Sequence, residues 1–539
     1  MARFCGHCGS PMADGSHFCG HCGASDGLTT STRPAQQTVL QNGAAFNRGG
    51  YMPAQYPARQ RRSGKSRKGL ILALCSVFAV MIVVGSVVLS NMLIGAGNYP
   101  YYNGGSSGSS YTQPTSGPGV YGTPLELSGL RENYTHLVGG GNDVITIMVY
   151  LCGADLESEY GCATTDLQEM LDADIGDNIN LIVQTGGASS WYNDLVSGER
   201  CQRWQLRGGN MTLIDDTLGQ QNMTEPGTLS SFVTYCAQNY PADRNILILW
   251  DHGGGTMGGF GYDENFRSSP SMSLEKMDGA LASAGVNFDI VGFDACLMST
   301  VETAYMLSDY ADYLIASEES EPGDGWYYTN WLSELSHNTS MDTVELGAKI
   351  IDDFVTVCAD SNSSNEATLS ILELRQMPYL YEQLCAFFND AQEQLADMQF
   401  ERLSRARSDS KDFGENSFDQ IDVVDFAGNA DLSLSDSLTR AVDSIVRYRN
   451  TYNISGANGL AMYFPYEWLD YYESMFTLQK QLGFGSESTN FFSNFVSVMV
   501  GGQSAYQSTP TGGTGSESSD YTDTEWFDSA AIDSYSGLY

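Results

Sequence analysis

The sequence predicts an α/β fold, a mainly parallel sheet covered by helices on both faces, over roughly residues 143–500. Strand-length apolar runs recur at Val144–Leu151, Ile179–Gln184, Arg203–Leu206, Ile246–Trp250, Ile290–Phe293, Tyr313–Ala316 and Leu369–Leu374. Helical patterns fill most gaps: Asp166–Ala173, Leu229–Ala237, Leu274–Ala284, Leu297–Leu307 and Val344–Val357. Strands that alternate with helices point to parallel crossovers. With 539 residues the chain holds more than one small core, and it shows no internal repeat.

The first segment, 1–24, contains Cys5-x2-Cys8 and Cys19-x2-Cys22, each pair followed by glycine. Four soft ligands on two knuckles are what tetrahedral zinc takes, so these cysteines predict a small zinc ribbon with a structural metal. A module this small has almost no core, and zinc would supply most of its folding free energy. His7, His17 and His21 lie nearby, but four thiolates already saturate the metal.

Residues 25–68 read as a polar linker that ends in Arg59, Arg61, Arg62, Lys65, Arg67 and Lys68. From Leu70 to Ile94 no charge occurs, and about 20 apolar residues suffice to cross a bilayer core. Segment 69–95 therefore predicts one transmembrane helix. Basic charge stays cytoplasmic, which would put the amino end inside and the large domain outside the cell membrane. Segment 96–142 reads as a Tyr/Gly/Ser-rich spacer without fold, and 501–539 as a disordered acidic tail.

Net charge is −39, unevenly spread: nine Lys/Arg against two Asp/Glu up to Lys68, then 17 against 63. An acidic body excludes nucleic acid as the expected partner, since phosphate binding needs clustered basic residues. It attracts basic peptides or divalent cations.

Three histidines, His136, His252 and His337, lie beyond the apolar segment, and His252 alone follows a buried strand and opens a glycine run. Glycine backbone can approach a substrate carbonyl and offer its N–H groups. Of the seven cysteines in that part, Cys296 ends a strand. A helix expected from about Leu297 would stabilise its thiolate. Cys152 also follows a strand and is the rival nucleophile on spacing. Both sites fall at carboxyl ends of strands, where open α/β sheets place their ligands. A thiol and an imidazole meeting there make a cysteine peptidase. Asp251 should point away from the imidazole, whereas Asp294, two before Cys296, should share the thiol's side. A carboxylate there disfavours the thiolate unless a cation arrives, as an Arg or Lys of a substrate would.

At these residues the chain resembles the clostripain family of cysteine peptidases, in the clan of caspases, legumains and gingipains. The matching pieces are Ile145–Leu151, Asn245–Gly255, Gly292–Met298, Ala316–Glu319 with Pro322–Trp326, and Gly459–Pro465. They span about 143–500, here divided into a peptidase core (143–365) and a C-terminal part (366–500). The resemblance implies a caspase-like α/β/α sandwich and a His252/Cys296 dyad without an obligatory third member. It implies an oxyanion site from the N–H groups of Gly253 and Cys296, and Asp294 as the residue that binds Arg or Lys before the cut. It also implies a calcium preference and self-cleavage after a basic residue, for which Arg267 is the candidate. A catalytically silent relative is the alternative. A metal hydrolase using His252 and Asp251 is disfavoured, because no H-E-x-x-H pair exists.

Overall fold

The computed structural model describes residues 3–4, 11–12, 119–396, 400–414 and 418–507. The chain divides into two units, Met1–Gly108 and Ser109–Tyr539. In the first, strands β1 (Arg3–Phe4) and β2 (Pro11–Met12) pair antiparallel. Cys5, Cys8, Cys19 and Cys22 lie outside the described residues, as does the apolar run 70–94.

The second unit is built on a ten-stranded sheet. In chain order its strands are β3 (Val120–Tyr121), β4 (Ile145–Cys152), β5 (Ile179–Gly186), β6 (Gln202–Arg207), β7 (Asn210–Asp215), β8 (Arg244–Trp250), β9 (Phe288–Asp294), β10 (Ala311–Ala316), β11 (Ala367–Glu373) and β14 (Val446–Tyr452). Their spatial order is β3-β14-β11-β10-β9-β8-β4-β5-β6-β7. Strands β12 (Asp412–Phe413), β13 (Gln420–Asp422) and β15 (Ala461–Tyr463) form a separate antiparallel sheet.

Every residue of β4 is buried, and its side chains alternate between two cores. Ile145, Ile147, Val149 and Leu151 join one core with Trp331 and Phe354, and Met148, Tyr150 and Cys152 join the other with Phe232 and Met277. Helices Cys162–Asp172, Tyr328–His337 and Thr343–Ser361 cover the first face; Pro226–Asn239 and Leu274–Ala284 cover the second. Burying both faces of a strand makes its sequence apolar throughout.

The mainly parallel sheet expected from the sequence is corrected. Four pairings, β10-β9, β9-β8, β8-β4 and β4-β5, are parallel. Five are antiparallel: β3-β14, β14-β11, β11-β10, β5-β6 and β6-β7. Antiparallel pairings thus prevail, with the parallel strands gathered at the centre. The physical reason is that helix-strand alternation does not fix direction at the edges. Two helices separate β10 from β11, yet β11 returns antiparallel.

The expected membrane anchor is corrected too. Among the described residues no helix is long and apolar enough to cross a membrane. The long helices that form, such as Thr343–Ser361, carry one buried apolar stripe and an exposed polar face. A hydrophobic run with flanking charge meets the length condition for a span but does not establish one, so the single-span membrane placement is not retained.

The metals fare similarly. Among the described residues no group of three or more His, Cys, Asp or Glu is arranged to hold a metal ion. The zinc ribbon rested on cysteine spacing alone. Calcium needs six to eight converging oxygens. The buried carboxylates beneath the sheet edge instead accept hydrogen bonds: Asp166 from Trp250 Nε1 at 2.6 Å, and Asp294 from Tyr328 Oη at 2.8 Å. Neither zinc nor calcium is therefore assigned.

The stretch 120–142, expected as part of a free spacer, is anchored instead. Tyr121 pairs with Tyr448, and Arg131 Nη1 donates to the buried Asp312 at 2.7 Å.

Candidate active site

Three adjacent parallel strands, β9, β8 and β4, end together at one edge of the sheet. Trp250, the last residue of β8, is in register with Leu151 of β4 and with Asp294, the last residue of β9. Two residues beyond Trp250 and Asp294 stand His252 and Cys296. A matched register thus delivers imidazole and thiol to one level, and both line a single cavity with Trp250, Cys162, Asp294 and Glu321. The crossing from β5 to β8 reverses the winding direction beside β4, and such a switch point opens a crevice above the strand ends.

The loops that carry His252 and Cys296 touch through backbone. A Cβ built on Gly253 would lie 2.0 Å from the Cys296 carbonyl oxygen. Only glycine permits this approach. Asp251 closes the glycine loop by accepting from the backbone N–H of His252 at 2.7 Å and of Tyr262 at 2.6 Å. It holds backbone, and the imidazole meets a different carboxylate: His252 Nε2 donates to Asp155 Oδ1 at 2.7 Å. Burial opposes the charge of both partners. The hydrogen bond to Asp155, with the Asp251 and Asp155 charges, nevertheless raises the His252 pKa above the usual value. The same contact holds the Asp155 carboxyl below its own.

Asp155 was missed by sequence reasoning. The signal was present, since Asp155 follows the carboxyl end of β4 as His252 follows β8.

Cys296 is half-buried. Its sulfur accepts the Glu321 N–H at 3.2 Å. The helix expected from Leu297 is absent at that point: the helix is Val301–Leu307, with Thr300 as its N-cap. Leu297 instead adopts φ 69°, a left-handed conformation costly for a side-chain-bearing residue. The thiolate therefore has no helix dipole beside it. Burial, then the Glu321 and Glu319 carboxylates, push the thiol up to about 12. A neutral resting thiol needs a base, and the neighbouring imidazole is placed to be one.

Buttressing comes from the smaller sheet. Gln420 Nε2 donates to the carbonyls of Leu297 at 3.0 Å and Glu318 at 3.2 Å, and Ala461 N donates to Ser299 O at 2.9 Å.

Below the thiol the cavity is acidic. Asp294 accepts from Trp326 N at 3.2 Å and from Tyr328 Oη, and burial raises its carboxyl to about 6. Trp326 can lie against β9 because position 292 is glycine, whose Cβ would stand 2.7 Å from the indole. Glu321, also buried, has neither carboxyl oxygen in a hydrogen bond of good geometry. Burial and the Asp294 charge push its carboxyl well up. Glu321 was likewise missed; it lies in the loop after β10, which no strand-end or alternation pattern reaches.

Cys152 is fully buried and donates to Tyr262 O at 3.1 Å; it does not line the cavity. Cys152 and Cys162 are both free thiols, as are the other five cysteines of this unit. Arg267 stands on an exposed turn after the short helix Glu264–Phe266, 3.2 Å from Glu264 Oε1.

The chain is similar to several known proteins. Clostripain from Hathewaya histolytica is 28% identical, over 39% of this chain and 46% of its own length, so the chain matches about half of that relative. Two solved structures share the fold at 20% identity and a TM-score of 0.50. One is a secreted C11 cysteine protease from Bacteroides thetaiotaomicron in complex with an irreversible peptide inhibitor (64% of this chain, 99% of that one). The other is an inactive zymogen C11 protease from Parabacteroides distasonis (63% and 98%). Residues 149–469, more than half of the chain and including the segments that carry His252 and Cys296, match the clostripain family, and the chain belongs to that family.

Proposed function

We propose that this protein is a cysteine endopeptidase that cuts peptide bonds after basic residues. The observation that carries the reading is the shared cavity, with Cys296 and His252 at its rim and the buried carboxylates Asp294 and Glu321 beneath them.

In the first step the Cys296 sulfur attacks the scissile carbonyl carbon while the thiol proton passes to His252. The oxyanion is held by the backbone N–H groups of Gly253 and Cys296, donors that need no reorganisation during reaction. Collapse expels the amine, which takes the proton from His252, and leaves a thioester on Cys296. Water, deprotonated by His252, then releases the acid and restores the thiol.

Asp294 with Glu321 receives the guanidinium or ammonium group before the cut bond. Two buried carboxyl groups side by side resist ionising together, and a cation relieves that cost. Cleavage of a peptide library tests this reading: cuts should follow Arg or Lys, and cuts spread over neutral residues would remove Asp294 from its role. Self-cleavage after Arg267 belongs to the same proposal, favoured by the exposure of that turn. An Arg267→Ala protein still cut at that bond would exclude it.

A further inference from the structure

We propose that Asp155 is a positioning residue for His252, holding the imidazole by Nε2 so that Nδ1 is the nitrogen presented to the Cys296 thiol. The inference rests on the peptidase reading and adds to the His/Cys dyad a third residue, which the sequence did not call for. The dyad's three strand ends, β4, β8 and β9, are then all used.

The contact is 2.7 Å, within the range of a charge-assisted hydrogen bond. The carboxylate cannot be replaced by Asp251, whose two oxygens are already held by the backbone N–H groups of His252 and Tyr262. The charged or titratable groups around the ring are Asp155 from the segment after β4, Asp251 on its own loop, and Cys162, Cys296, Asp294 and Glu321 across the cavity.

The segment that carries Asp155 is built to aim it. Ala154 adopts φ 48°, a left-handed conformation that alanine avoids, and such a residue persists only where its surroundings over-determine it. Here the surroundings are clear. Gly153 N donates to Gly186 O at 2.8 Å and fixes the turn to β5. Glu157, fully buried in the same short helix Ala154–Ser158, accepts from Thr164 N at 2.8 Å, Thr164 Oγ1 at 2.6 Å and Tyr192 N at 2.7 Å. The helix is pinned on one side, and Asp155 faces the imidazole on the other.

An imidazole whose Nε2–H is held by a carboxylate keeps its lone pair on Nδ1, which is the form able to accept the thiol proton. Lost orientation is felt in turnover, whereas substrate contacts made by Asp294 are untouched.

The test compares Asp155→Ala and Asp155→Asn with the parent full chain, reading kcat and KM from pH 5 to 9 and the tautomer of His252 by imidazole nitrogen shifts. Asp155→Ala should lower kcat roughly 10- to 100-fold with KM within about twofold. Asp155→Asn keeps an acceptor but not the charge, so most of kcat should survive. Its acid limb should move down by roughly one pH unit. Unchanged kcat in Asp155→Ala together with an unmoved acid limb in Asp155→Asn overturns the proposal. Should the alanine protein not fold, the near-isosteric asparagine variant decides alone by its acid limb. If the parent chain cleaves nothing, the peptidase reading fails, and the His252 titration and tautomer in Asp155→Asn still report separately on positioning.

Discussion

Cys152 and Cys296 occupy comparable places, each just at or beyond the carboxyl end of a central parallel strand, yet their surroundings differ sharply. Burial raises both thiols, with Asp251 and Asp263 adding to it at Cys152, and Glu321 and Glu319 at Cys296. Acidity therefore does not select the nucleophile. Access does: Cys152 is sealed beneath the glycine loop, whereas Cys296 shares a cavity with His252. Strand-end position thus brings both thiols to the same edge, and the loop above each strand decides which one is open to a substrate.

The largest expected effect breaks the comparison outright. Cys296→Ala should lower peptide hydrolysis by about 10⁴-fold or more, since residues that act as a unit fail together. Cys152→Ala should retain activity within a few-fold and show a small loss of thermal stability, on the order of 1 kcal/mol for the cavity created. Equal losses in the two variants would show that strand-end position alone had been read.

Next in size is the acidic floor. Asp294→Asn should lower kcat/KM on arginyl or lysyl substrates by roughly 10²-fold, as expected when a buried charge pair loses one member. The loss should fall mainly on KM, and a substrate with a neutral residue at that position should be nearly indifferent.

Gly253→Ala sharpens the link between the two loops. Its Cβ must push the Cys296 backbone away, and losing the alignment of one oxyanion donor costs ~10²-fold in kcat. Near-normal turnover would detach Gly253 from the oxyanion.

Smaller effects come from pH. Burial raises Asp294 to about 6, so KM for basic substrates should rise as pH falls through about 6 and the carboxylate protonates. His252 is raised above its usual value despite burial and must be neutral to take the thiol proton, so kcat should fall as pH drops through its pKa. The stability that the His252–Asp155 contact lends runs the other way. It is fully present below the unfolded imidazole value and is lost as pH rises through the folded one.

The parallel centre was legible in the sequence because burial on both faces leaves unbroken apolar runs; all seven expected strands are present. Missed strands have mixed patterns for physical reasons. β7 is largely exposed, and β14 alternates buried Val446, Tyr448 and Asn450 with arginines at 447 and 449. The false helix start at Leu297 came from its apolar run, although Thr300 with Glu302 behind it carries the cap signal. His252, Cys296 and Asp294 were visible from strand ends and alternation. Asp155 carried the same strand-end signal after β4 and was passed over, whereas Glu321 takes its place only when the loop after β10 closes over the site.

The most direct test is to map the residue labelled by a peptidyl electrophile ending in arginine or lysine. A single adduct on Cys296 is expected, absent in His252→Ala and competed by a basic peptide. An adduct on Cys152 or Cys162, or labelling undiminished in Cys296→Ala, would contradict it.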